Sequence, residues 1–253
     1  MAYDYWYLGF ADQALDTIER ALALARELSL PSSLFTALWG SSLVHYLCGE
    51  ETAALDFADA AVHLASEQGF QLFLAAGVLA RGAALIQSGQ AEAGIAQLSK
   101  VLDSSRASGA RLLLPAFLAA LACGYGIARQ VDKGFATLAE ATALVESTGE
   151  RDHEAELNRL KGELTLKRPE ADSNSKVQEE AETCFRQALK VARLQSAKSW
   201  ELRATISLAR LLAKQGRRDE ARTMLAQIYG WFTEGFDTAD LKDAKALLDE
   251  LSA

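Results

Sequence analysis

Small and apolar positions recur along this chain on a beat of forty residues. The clearest mark is a glycine followed five residues later by a small side chain. It reads Gly9 and Ala14, Gly49 and Ala54, Gly89 and Gly94, then Gly216 and Ala221, with Arg129/Gly134 and Lys176/Ala181 holding the same places. Successive marks lie 40, 40, 40, 47 and 40 residues apart. Four residues beyond each small residue, on the same face of a helix, come Ile18, Ala58, Leu98, Leu138, Phe185 and Leu225. Seven residues before a mark, or before its in-register place, sit Ser42, Gly82, Ala122, Gly162 and Ala209. A glycine inside a helix costs on the order of 1 kcal/mol relative to alanine, so these positions imply closely approaching helices. A period in this range predicts an all-α solenoid of about six helix-turn-helix units.

The pattern places first helices near 32–47, 72–87, 112–127, 152–167 and 199–214. Second helices fall near 11–28, 51–68, 91–107, 131–148, 177–195 and 218–228. The marks at 9, 49, 89, 129, 176 and 216 are the turns, where a helix end favours a left-handed residue. Arg129 and Lys176 stand in for glycine there, so two turns must close differently or at a cost. Ser29, Gly69, Gly109, Gly149 and Ser196 punctuate the other helix ends. The seven-residue excess is placed in a polar surface loop at 168–175, around Pro169. Residues 1–228 therefore read as the repeat array. Residues 229–253 read as a capping segment whose last helix starts from Thr238 or Asp240. The N-terminal edge reads as uncapped, as in a segment of a longer protein.

Charge narrows the function classes. A net charge of −8 argues against a nucleic-acid surface. Residues 1–149 carry 15 acidic and 8 basic side chains, and the remainder 19 and 18. Cys48, Cys123 and Cys184 form no paired motif, so a disulfide framework is not expected and a reducing cytoplasm fits. Residues 112–128 are uncharged but keep the register of a first helix, so a buried helix is predicted, not a membrane span.

Two stretches, Ala155 to Leu164 and Ala181 to Leu189, together with the ending Tyr229 to Lys242, sharpen the picture. The helix pairs and small-residue marks resemble the tetratricopeptide superfamily, in a variant with units of about forty residues. The whole chain resembles the C-terminal repeat region of large bacterial signalling proteins, which carry a nucleotide-cyclase or DNA-binding domain and an ATPase module upstream. It is also similar to the sensor arrays of LuxR-type ATP-dependent activators. Asp152 and His153 depart from that family pattern, which usually has aromatic residues there. The resemblance implies a right-handed superhelix whose first helices line a concave face, and a regulatory or recruiting role.

No phosphate-binding loop or zinc-protease motif is present, and no cofactor or metal is expected. His45 and Cys48 share a helix face without two further ligands. Asp152, Glu154 and Glu156 read as a solvated acidic helix start. Carried over by register, the concave face has an apolar half with Trp39, Leu43, Tyr46, Leu79 and Ile86. Its charged half has Glu156, Arg159, Glu163, Lys167, Arg203, Arg210 and Lys214. Arg159, Arg203 and Arg210 are the expected carboxylate anchors. The leading expectation is a non-catalytic protein-interaction module binding a partner segment, such as upstream ATPase or cyclase domains of the same polypeptide. Two alternatives stand beside it: a small-molecule effector held within the superhelix near Trp39 and Tyr46, and self-association as a homodimer through the N-terminal edge.

Overall fold

In the computed structural model, which describes residues 1–108 and 114–252, the chain is all-α. Thirteen helices are present among the described residues. They are α1 (Ala2–Leu8), α2 (Ala11–Leu28), α3 (Pro31–Cys48), α4 (Glu51–Glu67), α5 (Gln71–Gln87), α6 (Ala91–Ser108) and α7 (Leu114–Ile127). After these come α8 (Val131–Thr148), α9 (Glu154–Leu166), α10 (Ser175–Leu194), α11 (Lys198–Lys214), α12 (Arg218–Tyr229) and α13 (Ala239–Ser252).

The turn chemistry explains the bounds. Gly9, Gly49, Gly89 and Gly216 all take positive φ, as do Gly69 and Gly149 at the alternate turns. Ser29, Arg129 and Ser196 adopt the same left-handed region without being glycine, at φ of 53°, 59° and 56°. Arg129 thus closes its turn in the ordinary way and bears a steric cost. Lys176 does not mark a turn. It lies inside α10, where its backbone N–H donates to Asn174 Oδ1 at 3.1 Å, and Asn174 caps the helix. The polar loop between α9 and α10 makes that connection instead, and it is pinned by the buried Ala171. Gly109 lies outside the described residues.

Small residues set the helix spacing. Ala14, Ala54, Ala181 and Ala221 are completely buried. A Cβ on Gly94 would lie 2.5 Å from the Gly82 carbonyl oxygen, and one on Gly162 2.5 Å from the Phe185 ring. Ser42 uses the same close approach differently, donating its hydroxyl to the Ala54 carbonyl at 2.9 Å. The uncharged stretch forms α7, which is buried along most of its length, and no helix among the described residues is long and apolar enough to cross a membrane.

Every helix packs on its neighbours in sequence. The odd-numbered helices also pack on each other in order, α1 on α3, α3 on α5, and so on to α13. The even-numbered helices form an outer layer. A further contact joins α1 to α11, so six inner helices make a closed circuit. At this closure Trp6 is buried to 2% exposure and meets Trp200 edge to face at 4.8 Å. Ser199 donates its hydroxyl to the Trp6 carbonyl at 2.5 Å, and Tyr7 donates to Gln195 Oε1 at 2.7 Å. The segment after α12 completes the seal. Asp12 accepts from the Gly235 N–H at 3.1 Å, and Gln13 bonds Glu234 through both backbone and side chain. At the N-terminal edge expected to be open, α1 therefore packs on α11, and the chain's own C-terminal segment meets Phe10 and the start of α2.

Candidate functional site

The circuit of inner helices encloses a cavity of about 340 Å³. Its wall comes from α1 (Tyr3), α3 (Trp39, Leu43, Tyr46), α5 (Ala83), α7 (Ala116, Phe117, Ala119), α9 (Glu156, Leu160) and α11 (Trp200, Arg203). Alanines of α5 and α7, at positions other than the periodic small ones, shape this space. Ala83, Ala116, Ala119 and Ala120 line it where larger side chains would fill it. The wall is mostly apolar, and the polar groups gather where α9 and α11 meet α1 and α3.

Arg203 holds that polar end together. Its guanidinium lies over the Trp6 and Trp200 rings, 5.0 and 5.2 Å from their centres. It donates from Nε to Asp240 Oδ2 at 2.7 Å and from Nη2 to the Leu47 carbonyl at 2.7 Å. Leu47 is in the last turn of α3, where carbonyls lack a helical partner, so one side chain ties four helices. Burial and the paired Asp240 act on the guanidinium in opposite senses, and the carboxylates prevail, raising its pKa. Burial pushes the Asp240 carboxyl up despite Arg203 beside it. Asp240 is thus an internal ion-pair partner within α13, and Thr238, directly before that helix, donates its hydroxyl to the Gly235 carbonyl.

A second network lies alongside. Arg159 grips Glu156 with two bonds of 2.7 Å and also reaches Glu163 Oε1 at 3.4 Å and Ser207 Oγ at 3.3 Å. The Ser207 hydroxyl donates to Glu163 at 2.6 Å, joining α9 to α11. Burial disfavours the Glu156 carboxylate, yet the Arg159 charge and hydrogen bonds hold its pKa below the usual range. The reading of Glu156 as part of a solvated helix start is corrected here: it is 8% exposed, because the helix turns that position inward against α11. Asp152 and His153 bond each other at 3.0 Å, and the Tyr3 hydroxyl donates to Asp152 at 3.2 Å. His153, where the family pattern places an aromatic, does pack among rings, 5.6 Å from Trp200 and 6.2 Å from Tyr3.

Of the residues expected on the concave face, Trp39, Leu43, Tyr46, Glu156 and Arg203 line the cavity together. Leu79 and Ile86 are buried in the cluster built around α7, and Arg159 and Glu163 stand behind the wall in the network just described. Arg210 pairs with Asp243 on α13. Lys167 follows α9 outside the cavity wall, and Lys214 is exposed at the end of α11. The three arginines expected to anchor a partner's carboxylate are all engaged by carboxylates of this chain. Tyr3, Cys123, His153 and Trp200 were not anticipated in the site. Only the departure from the aromatic pattern at His153 pointed toward it. His45, paired in sequence with Cys48, bonds Glu50 at 2.6 Å and stacks on Phe57.

Two donors near the polar end have no protein acceptor among the described residues, and the indole nitrogen of one of them is closed off from the cavity. The Trp200 indole N–H is buried without an acceptor. Tyr46 is held through its carbonyl, which accepts from Gln87 Nε2 at 2.8 Å, while its hydroxyl has no protein partner among the described residues. Burial raises the Tyr46 pKa, so the phenol stays neutral and able to donate. No protein-family model matches the chain, and comparison with curated proteins returns no match.

Proposed function

We propose that this chain is a non-catalytic regulatory array of the tetratricopeptide type, a right-handed superhelix closed on itself, that receives a small-molecule effector in its interior. In this reading it acts in the cytoplasm as one arm of a larger bacterial signalling protein. Ligand occupancy is passed to attached domains through the inner helices. The observation that carries the reading is the cavity: about 340 Å³, largely apolar, with a few convergent polar groups, which is the character of a small-ligand site. A partner segment laid in the concave face has a weaker claim. Arg159, Arg203 and Arg210 are occupied by internal carboxylates, and α1 with the C-terminal segment covers the closure. A peptide would have to displace those contacts first.

The test is a thermal-shift screen of the full chain against a metabolite library, run beside Ala116→Leu. Ala116 lines the cavity and is half-buried, so the larger side chain takes up ligand space without disturbing the core. A ligand at about 100 times its dissociation constant stabilises by about 2.7 kcal/mol. The expected result is a shift from one chemical class that Ala116→Leu abolishes. A shift that survives the substitution would place the ligand elsewhere and remove the basis of this reading.

A further inference from the structure

We infer that a groove between α8 and α9, outside the circuit of inner helices, is a docking site for an amphipathic helix of a partner protein. That helix carries a basic side chain at one end of its apolar face and an acidic one at the other. The surface is separate from the interior cavity, and the inference stands whether or not that cavity takes a ligand.

The groove arises from one long junction. The turns after α2, α4 and α10 use two or three residues, Ser29–Leu30, Gln68–Phe70 and Gln195–Ala197. The turn after α8 uses five, Gly149–His153. Its far end is drawn toward α1, where the Tyr3 hydroxyl donates to Asp152 at 3.2 Å. Its middle is tied to the residue after α10, since Gln195 Nε2 donates to the Arg151 carbonyl at 2.8 Å. With the turn held that way, α8 and α9 leave an open space of about 680 Å³, twice the volume of the interior cavity.

The shape suits a helix. The α8 wall runs from Phe135 to Glu146, about 16 Å at 1.5 Å per residue. Leu138, Val145 and Leu157 are buried at its base, while Ala139 and Ala143 are exposed one turn apart on one face. Side chains that short let the ridge of a facing helix come close.

Charge sets the chemistry of the occupant. Glu146 is in the last turn of α8. A Cβ on Gly134 would lie 2.8 Å from the Leu164 side chain, so α9 runs antiparallel and Lys161 is level with the beginning of α8. The two charges thus stand at opposite ends of the groove, about 14 Å apart along it. Neither has a side-chain partner among the described residues. Their charged neighbours are engaged. Arg151 grips Glu154 with bonds of 2.8 and 3.0 Å, and Arg168, lying over the Phe135 ring, bonds Glu180 at 2.9 Å. One free carboxylate and one free ammonium match a helix whose own charges are of opposite sign and two to three turns apart. A segment of a single charge sign is repelled at one end.

The experiment displays a library of 16-residue alanine-based helical peptides, randomised on one face, and selects on the full chain. Binders are counter-selected on Ala139→Glu, which puts a charge into the groove at an exposed position. Thermal melts check that each variant folds, and Ala143→Glu takes the place of Ala139→Glu if that one does not. The expected binders carry a basic and an acidic residue two to three turns apart beside an apolar stripe. Lys161→Glu makes both ends of the groove acidic and should select basic residues at both ends. Replacing the acidic residue of a selected peptide by Gln should weaken binding roughly 2- to 5-fold at low salt, and should have no effect on Lys161→Gln. If no binder is excluded by Ala139→Glu or Ala143→Glu, the docking site falls. Groove binders without charge preference, or with the same preference on Lys161→Glu, overturn the partner chemistry. A chain that dimerises, and becomes monomeric on Ala139→Glu, makes a second copy the occupant and overturns the assignment to a partner protein. None of these outcomes bears on the interior cavity, whose own test is the ligand screen with Ala116→Leu.

Discussion

Glu156 shows how one side chain is governed by two opposed environments. Burial disfavours its charge, and the bidentate Arg159 favours it more strongly, so the folded pKa lies below the unfolded one. A carboxyl with a depressed folded pKa contributes stability that is fully present above its unfolded value, about 4.3. That stability is lost as pH falls through the folded value. Glu156→Gln should therefore destabilise by about 3 kcal/mol near neutral pH, because Arg159 loses its principal partner in a buried place. The gap to the unsubstituted chain should hold down to the unfolded value and narrow as pH is lowered from there through the folded value. Urea melts at several pH values measure this, and a gap that stays constant across the series would contradict the ion-pair account. Little of this was legible from the sequence. Glu156 and Arg159 stand three apart on a predicted helix, which reveals that they can pair. It does not reveal that α11 lies over them, because that depends on the path of the whole array.

At the level of elements, helix spacing is set by where side chains are missing. Gly162 of α9 leaves room for the fully buried Phe185 of α10, whose ring atoms lie 2.5–2.9 Å from where a Cβ would be. Gly162→Ala should cost about 1–3 kcal/mol by forcing the ring or the helices apart, against the small gain in helix propensity. Combining it with Phe185→Leu should cost less than the sum of the two single changes, which chemical denaturation of the three variants can check. Simple addition of the two effects would show that the ring and the glycine do not share this space. The sequence was most readable at this scale. Glycine and serine at helix ends gave bounds within two residues for most helices, since the need for a left-handed residue is local. Lys176 misled because it kept the interval of a mark while the inserted loop carried the turn. A period records position along the chain and not backbone conformation.

For the whole molecule the closure of the inner circuit is decisive. An open array of repeats is stabilised by neighbours in sequence, and an end can loosen without consequence for the far side. Here Trp6 of α1 packs on Trp200 of α11, and Arg203 joins both to α3 and α13. Trp6→Ala should destabilise by about 3–5 kcal/mol. It should also raise amide hydrogen exchange in α11 and α13 as well as in α1 to α3, while α6 and α8 keep their protection. Faster exchange confined to α1 and α2 would mean that the two ends are energetically independent. No repeat pattern announces this closure, since contacts between residues nearly two hundred positions apart leave no periodic trace. The four tryptophans are spread along the sequence, and the contact between Trp6 and Trp200 becomes visible only once the array has curved back on itself.

The same closure fixes an order of events at the ribosome. Repeats α2 to α9 can stack as they emerge, each on the one before. The face of α1 bearing Trp6 has no seat until Trp200 and Arg203 have left the exit tunnel. At about 5–20 residues per second, that leaves an aromatic, apolar surface waiting for about 10–40 s in every round of synthesis. Partly made chains are thus the form of this protein most exposed to self-association, and slower translation through α10 and α11 lengthens the wait.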